Sequence, residues 1–297
     1  MAQANIRLFR LDVQTHSAAP TPVDAPAQRL INSACSSSQS INPTMVRCRN
    51  VISSSSAVIS GRMELRLGLV GCSWFALRAH LPALLSLEQP QRGRPVRVLI
   101  AAVCSRTRKS MAKAEARLGR TVVKHKQMEA MFADPEIDVV LLVLPIPLMA
   151  RAVEMALRSG KHVLSEKPAA HNLAAALTLL ALRRSLPQPA PVWAVLENWA
   201  HKPSVVWIRQ RLQERAIGRV LSAHCAHHEV VGARGWAEGW RGAGGHEGGW
   251  LLDLGVHWVR MLRMLLGEAT ACSASVRQLA PHLPPVCVGS NGICSDL

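Results

Sequence analysis

Apolar and polar positions alternate in blocks from Glu64 onward. Leu65–Val70 reads as a short strand ending at Gly71, and Ala76–Leu87 as a helix whose regular part begins at Pro82. Val96–Cys104 is a near-continuous apolar run of strand length. Thr107–Leu118 is amphipathic and stops at Gly119. Ile137–Leu144 is a β-branched run with the character of a buried strand. Leu148–Leu157 follows as a helix closed by Ser159-Gly160, and His162–Ser165 as another short strand. Strands alternating with helices predict βαβ units and a parallel sheet, whose buried strands read as continuous apolar runs, as these do.

The alternation loosens after residue 190. Pro191–Leu196 and Val220–Val231 read as strands and Ser204–Glu214 as a helix. A glycine-rich stretch over 232–249 is irregular, and Trp250–Leu266 is a further helix. The division expected is therefore a leader over 1–62, a parallel α/β domain over 63–190 and an α+β domain over 191–297. The leader holds eleven serines, six arginines and only Asp12 and Asp24 as acids, the composition of a disordered tail or an organellar transit peptide. It allows a cytoplasmic or an organellar location. Seven of the eight tryptophans lie between residues 193 and 258, which predicts core packing or the lining of a pocket for a ring-like ligand.

Composition removes several classes. The longest apolar run, Ile137–Ala150, is broken by Asp138, Pro145 and Pro147 and is too short to cross a bilayer. Eight cysteines without a C-x-x-C pair argue against a zinc ribbon or disulfide scaffold and for a reducing compartment. The formal charge is +16, and Arg92–Lys126 holds eleven basic residues against Glu115 alone. No aromatic lies between Phe75 and Phe132 to stack on a base, so a nucleic-acid partner is not expected.

Four short segments carry chemistry. Gly71-Cys72-Ser73-Trp74-Phe75-Ala76 fits G-x-G-x-x-G/A with Ser73 at the second glycine. It ends the first strand of a βαβ run, where a tight turn aims a helix N-terminus at a pyrophosphate. Ser105 and Arg106 follow the second strand where an NAD site usually has an acid. An arginine there suits a 2′-phosphate, so NADP is favoured over NAD. Glu166-Lys167-Pro168 closes the His162–Ser165 strand, and the proline pushes Lys167 out of helical geometry. Asp253 and His257 are i,i+4 on one helix face, where a carboxylate beside an imidazole could orient it. His224, His227, His228, His246 and Glu247 match no zinc spacing, so no metal site is expected.

Together, GLVGCSWFA, AAVCSRT, ADPEIDVVLLVLP, ALRSGKHVLSEKPAA, ENWAHKPSVVWIRQRLQERAIGRV and GGWLLDLGVHWVRMLRMLLGE resemble the Gfo/Idh/MocA oxidoreductases over about residues 65–268. The resemblance implies an N-terminal Rossmann domain binding NAD(P), and an α+β substrate domain with an open sheet that often forms a homodimer. It implies hydride transfer between nicotinamide and a secondary alcohol or carbonyl of a sugar, inositol or diol. By position, Lys167 would bind and polarise the reacting oxygen, and His257 would be the general acid/base. Asp253 would position His257 or the substrate. Gly71, Ser73, Trp74, Phe75, Ala76, Ser105, Arg106, Glu166 and Lys167 would meet the cofactor. Past Gly267 the sequence shows no strand pattern resembling the family's further sheet, so the substrate domain is expected to be incomplete. The alternative that follows is a nucleotide-binding but catalytically inactive member.

Overall fold

The computed structural model describes residues 9–14, 63–89, 96–227, 240–241, 247 and 249–272. Strand β1 (Phe9–Gln14) lies in the leader. The main sheet is built from β2 (Met63–Val70), β3 (Val96–Cys104), β4 (Val123–His125), β5 (Val139–Leu142), β6 (His162–Glu166) and β7 (Trp193–Leu196). Its order is β4-β3-β2-β5-β6-β7 with every neighbouring pair parallel. In chain order that is 3-2-1-4-5-6, the doubly wound Rossmann arrangement, and the order reverses between β2 and β5, where ligands bind. The α/β parallel architecture read from the sequence is the one observed.

Helices cover both faces. Leu67, Leu69, Ile100, Val103 and Leu141 meet α1 (Leu81–Glu88) and α2 (Arg108–Leu118) through Leu81, Leu84, Met111 and Leu118. Val70, Ala102, Val140, Leu142 and Val163 face α3 (Met128–Ala133), α4 (Ile146–Arg158) and α5 (Leu173–Ser185) through Phe132, Met149, Val153, Leu157 and Leu179. Each such buried aliphatic side chain contributes about 1.5–3 kcal/mol of transfer free energy. Strict alternation would put Ile100 and Ala102 on one face. A bulge against Leu67/Gly68 shifts the register there, so Ile100 and Ala102 pack on opposite faces. The Ile100 backbone at that bulge is satisfied by side chains. Its N–H donates to Glu88 Oε1 at 2.8 Å, and its carbonyl accepts from Arg120 Nη2 at 2.9 Å. Arg120 also holds Glu88 through both guanidinium nitrogens.

Several elements differ from the sequence reading. Between the glycine turn and α1, Ala76–His80 is a π turn, closed by the Leu81 N–H on the Ala76 carbonyl. Pro82 has no N–H to draw the turn into α geometry, which is why the regular helix starts at Leu81. The short β4 and α5, capped by Asn172 Oδ1 on the Ala175 N–H and apolar from Leu173 to Leu182 apart from Thr178, carry no clear period in the sequence. Strand β7 belongs to the main sheet. It pairs with β6, and Trp193 Nε1 donates to the buried Ser165 hydroxyl at 3.0 Å. The parallel sheet therefore extends past the boundary set at residue 190.

The second unit contributes α6 (Pro203–Gln213), β8 (Ser222–His227) and α7 (Gly249–Leu266). Strand β1 pairs antiparallel with β8, with Phe9 opposite His227 and Gln14 opposite Ser222. Within the segment read as a disordered or transit-like leader, FRLDVQ alternates with period two and finds a partner strand. The rest of the leader, the glycine-rich stretch apart from residues 240–241, 247 and 249, and the tail after residue 272 lie outside the described residues.

Gly71 ends β2 at φ +93°, and a Cβ built on it would sit 2.1 Å from the Val143 carbonyl oxygen. Gly71→Ala is expected to lower the unfolding free energy by about 2 kcal/mol or more, read by urea denaturation. A loss under about 0.5 kcal/mol would contradict the close approach.

Candidate functional site

The C-terminal ends of β2, β5, β6 and β7 form one edge, and the site is assembled along it. At β2, the Gly71 N–H donates to the Cys104 carbonyl at 2.9 Å, tying the turn to β3. Ser73 supplies what a second glycine would not. Its hydroxyl accepts the Ala76 N–H at 3.2 Å, and its carbonyl accepts the Leu77 N–H at 3.0 Å, so it caps the helix start. Ala76 is buried, whereas Ser73, Trp74 and Phe75 are exposed, Trp74 at 72%. The N–H groups of Ser73, Trp74 and Phe75 have no acceptor among the described residues. An open turn of free donors at a helix start fits a pyrophosphate.

The end of β3 places Ser105 and Arg106 beside that turn. The Ser105 N–H donates to the His125 carbonyl, and Thr107 caps α2 through the Ser110 N–H. Arg106 is exposed and makes no ion pair or hydrogen bond among the described residues. The Cys104–Thr107 segment brings no carboxylate to this position.

Lys167 follows β6 directly, with a cis peptide to Pro168. Its ammonium donates to the Asp253 carbonyl at 2.6 Å and to Asp253 Oδ1 at 2.8 Å. The other carboxylate oxygen of Asp253 accepts from Arg241 Nε at 2.8 Å. Asp253 is 2% exposed. Burial alone would push its carboxyl up, but the Lys167 ammonium and the Arg241 guanidinium outweigh that and hold it below the usual carboxylate range. Glu166 turns the other way. Its Oε1 meets His80 Nε2 at 2.8 Å, and its Oε2 accepts the Lys167 N–H.

His257, 7% exposed, takes a different partner from the one expected. Both oxygens of Glu197 lie on its Nδ1, at 2.8 and 2.6 Å. Trp199 stacks on the ring with centroids 5.1 Å apart and planes 13° from parallel. Asp253 shares the α7 face with His257, but a buried carboxylate gains more from two cations than from an imidazole, and its oxygens are taken. Asp253, expected to position His257 or the substrate, thus meets Lys167 and Arg241, and the carboxylate on His257 is that of Glu197. Glu197 was missed in the sequence. The available signal was an acid directly after the Pro191–Leu196 strand, on the edge where Lys167 also emerges.

A cleft of about 1070 Å³ joins these parts, lined by Phe75, His80, Lys167, Glu197, Trp199 and His257 among others. Gly71, Ser73, Trp74, Ser105 and Arg106 stand outside it, along the continuing edge of the sheet. Of the clustered tryptophans, Trp199 lines the cleft, Trp258 is buried against it edge-on, and Trp207 is exposed. Burial pushes the Cys72 thiol up to about 12, with Cys104 adding to the shift, and the Cys104 thiol to about 11. Neither suits a nucleophile. Among the described residues no three metal-ligating side chains come together, and no helix is long and apolar enough to cross a membrane. His228 and His246 lie outside them.

Two family models match the chain. One, an oxidoreductase family with an NAD-binding Rossmann fold, matches residues 65–190. The other, the GFO/IDH/MocA C-terminal domain, matches residues 205–292. The second runs well past residue 268, where the sequence reading ended the resemblance, and corrects that limit. The dehydrogenase FPY6 of Fusarium mangiferae is 29% identical over 226 residues, covering 74% of this chain and 64% of its own. Among solved structures, an oxidoreductase from Thermotoga maritima is similar with a TM-score of 0.63 at 28% identity, covering 74% of this chain and 65% of that one. The 3-ketoreductase KijD10 from Actinomadura kijaniata, solved with TDP-benzene and NADP, has a TM-score of 0.50 at 26% identity, covering 69% and 57%. The chain spans 55–64% of the length of the first curated relatives it matches.

The charge cluster sets a pH dependence. The folded Asp253 carboxyl titrates below its unfolded value, so its contribution is fully present above the ordinary carboxylate range. It is lost as pH falls below about 4 toward the folded value. Asp253→Ala strands two cations and is expected to cost about 3 kcal/mol at neutral pH. The gap to wild type should narrow below about pH 4 in urea unfolding. A gap constant from pH 7 to pH 3 would remove Asp253 as its source.

Proposed function

The chain belongs to the GFO/IDH/MocA oxidoreductase family, and on that premise we propose that it is an NAD(P)-dependent oxidoreductase interconverting a secondary alcohol and a carbonyl on a sugar, inositol or diol. The observation that carries this is a single cleft in which Lys167, delivered by β6, and His257, delivered by α7, stand beside Phe75 of the glycine turn. A nicotinamide dinucleotide, when bound, supplies the two-electron exchange with the substrate carbon.

The chain's own residues would do the rest. Gly71, Ser73, Trp74, Phe75 and Ala76 would hold the pyrophosphate, with Ser105 and Arg106 at the adenosine ribose. Arg106, exposed and without an ion pair among the described residues, and a Cys104–Thr107 segment that carries no acid favour NADP over NAD. An ammonium has three donors, and Asp253 takes two from Lys167. The third would meet the substrate oxygen and stabilise its negative charge. His257 would take the hydroxyl proton or return it. Asp253 and Arg241 keep Lys167 aimed into the cleft. We propose the homodimer on the same premise, with light scattering as its check.

Two measurements test the reading. NADPH is expected to raise the thermal transition of the full chain more than NADH, since a ligand of the folded state stabilises it by mass action. Arg106→Ala should remove the difference, and indifference of the wild type to both cofactors would count against the dinucleotide site. Lys167→Ala and His257→Ala should each lower turnover on a panel of polyols and aldoses by about 100-fold or more, with the cofactor shift kept in His257→Ala. Full turnover in either variant would sink the roles assigned. Cofactor binding without turnover by the wild type would leave a nucleotide-binding, non-catalytic protein.

A further inference from the structure

An imidazole works as an acid or base through one nitrogen, and what the other nitrogen touches decides which. Here Nδ1 of His257 has both oxygens of Glu197 within 2.8 Å. An ionised carboxylate has only lone pairs to offer, so the hydrogen between the two groups belongs to the ring. Nδ1 then carries a hydrogen whether the ring is neutral or charged, and Nε2 is the only atom that gains or loses a proton. We infer that Glu197 is a positioning residue of this site, locking His257 in its Nδ1–H form so that Nε2 faces the reacting hydroxyl. The role rests on the oxidoreductase reading above.

Three further contacts support it. Glu197 stands directly after β7, whose pairing to β6 places it on the same sheet edge as Lys167. Its Oε1 also accepts the Trp199 N–H at 2.8 Å, starting the short 3₁₀ turn Asn198–His201. That turn presents Trp199 flat against the imidazole. One carboxylate thus fixes the tautomer directly and the ring plane through Trp199. The residue expected to orient the ring, Asp253, is occupied by Lys167 and Arg241. A second imidazole of the cleft, His80, meets Glu166 through Nε2 at 2.8 Å. His257 and His80 are thus held by two different carboxylates through opposite nitrogens.

The first arm of the test needs no activity. In full-length protein labelled with ¹⁵N-imidazole histidine, with His257→Ala assigning the signal, neutral His257 is expected as the Nδ1–H form. An Nε2–H form in the wild type would overturn the assignment, even if the chain never turns over a substrate. The second arm uses Glu197→Gln, whose amide can donate as well as accept. It is expected to shift His257 toward Nε2–H and to lower kcat by about 100-fold or more, with KM changed less than about threefold. Glu197→Asp, which keeps the charge, should retain Nδ1–H and more of the turnover than Glu197→Gln. Turnover of Glu197→Gln within about threefold of wild type, or a persisting Nδ1–H signal in it, would overturn the proposal.

Discussion

A carboxylate sealed from water is tolerable only with its charge answered, and at Asp253 this requirement holds the molecule together. The two cations on it come from different parts of the chain, Lys167 from the end of a sheet strand and Arg241 from the segment before α7. Against a desolvation penalty larger than any one of them, the charges and hydrogen bonds of the two cations together hold the Asp253 carboxyl below the usual carboxylate range. Lys167 also reaches the Asp253 main-chain carbonyl, so the helix is gripped by its backbone as well as by a side chain. His257, one turn further along α7, inherits its position from that grip.

The sheet supplies the counterpart surface by ordinary packing. Its strands bury both faces, and the bulge between β2 and β3 switches which residues of β3 face which layer. Glu88 and Arg120 absorb the backbone disruption, well away from the ligand edge. The edge itself is left with what strand ends and turns can offer: the backbone N–H groups of the glycine turn, Lys167 after β6 and Glu197 after β7. Structural demands are met on the faces and chemical ones at the rim.

Most of this was legible in the sequence where the signal was local. The runs Leu65–Val70, Val96–Cys104 and Ile137–Leu144 announce buried parallel strands by their continuous apolar character, and the glycine turn, Glu166-Lys167-Pro168 and Asp253/His257 mark the ligand edge. What escaped was non-local or short. Strand β4 has three residues, and α5 is apolar from Leu173 to Leu182 apart from Thr178, so neither carries a period to read. The place of β7 in the main sheet depends on pairing with β6 and on a Trp193–Ser165 hydrogen bond across 28 residues. Glu197 lies 60 residues from His257. The i,i+4 spacing of Asp253 and His257 pointed to the nearer carboxylate, whereas burial beside two cations decided its actual partners.

The π turn at Ala76–His80 has a consequence for how this site could change in evolution. A wide turn carries one residue more than an α turn over the same length, and each residue of a helix advances about 100° around its axis. Removing one residue from the turn would leave Leu81 and Leu84 packed on the sheet but rotate everything before them by that angle. The glycine turn would then lose its alignment with β2, and His80 its reach to Glu166. The length of this segment is fixed from both ends, so insertions and deletions between Gly71 and Leu81 should be far rarer among functional variants than side-chain changes at its exposed positions.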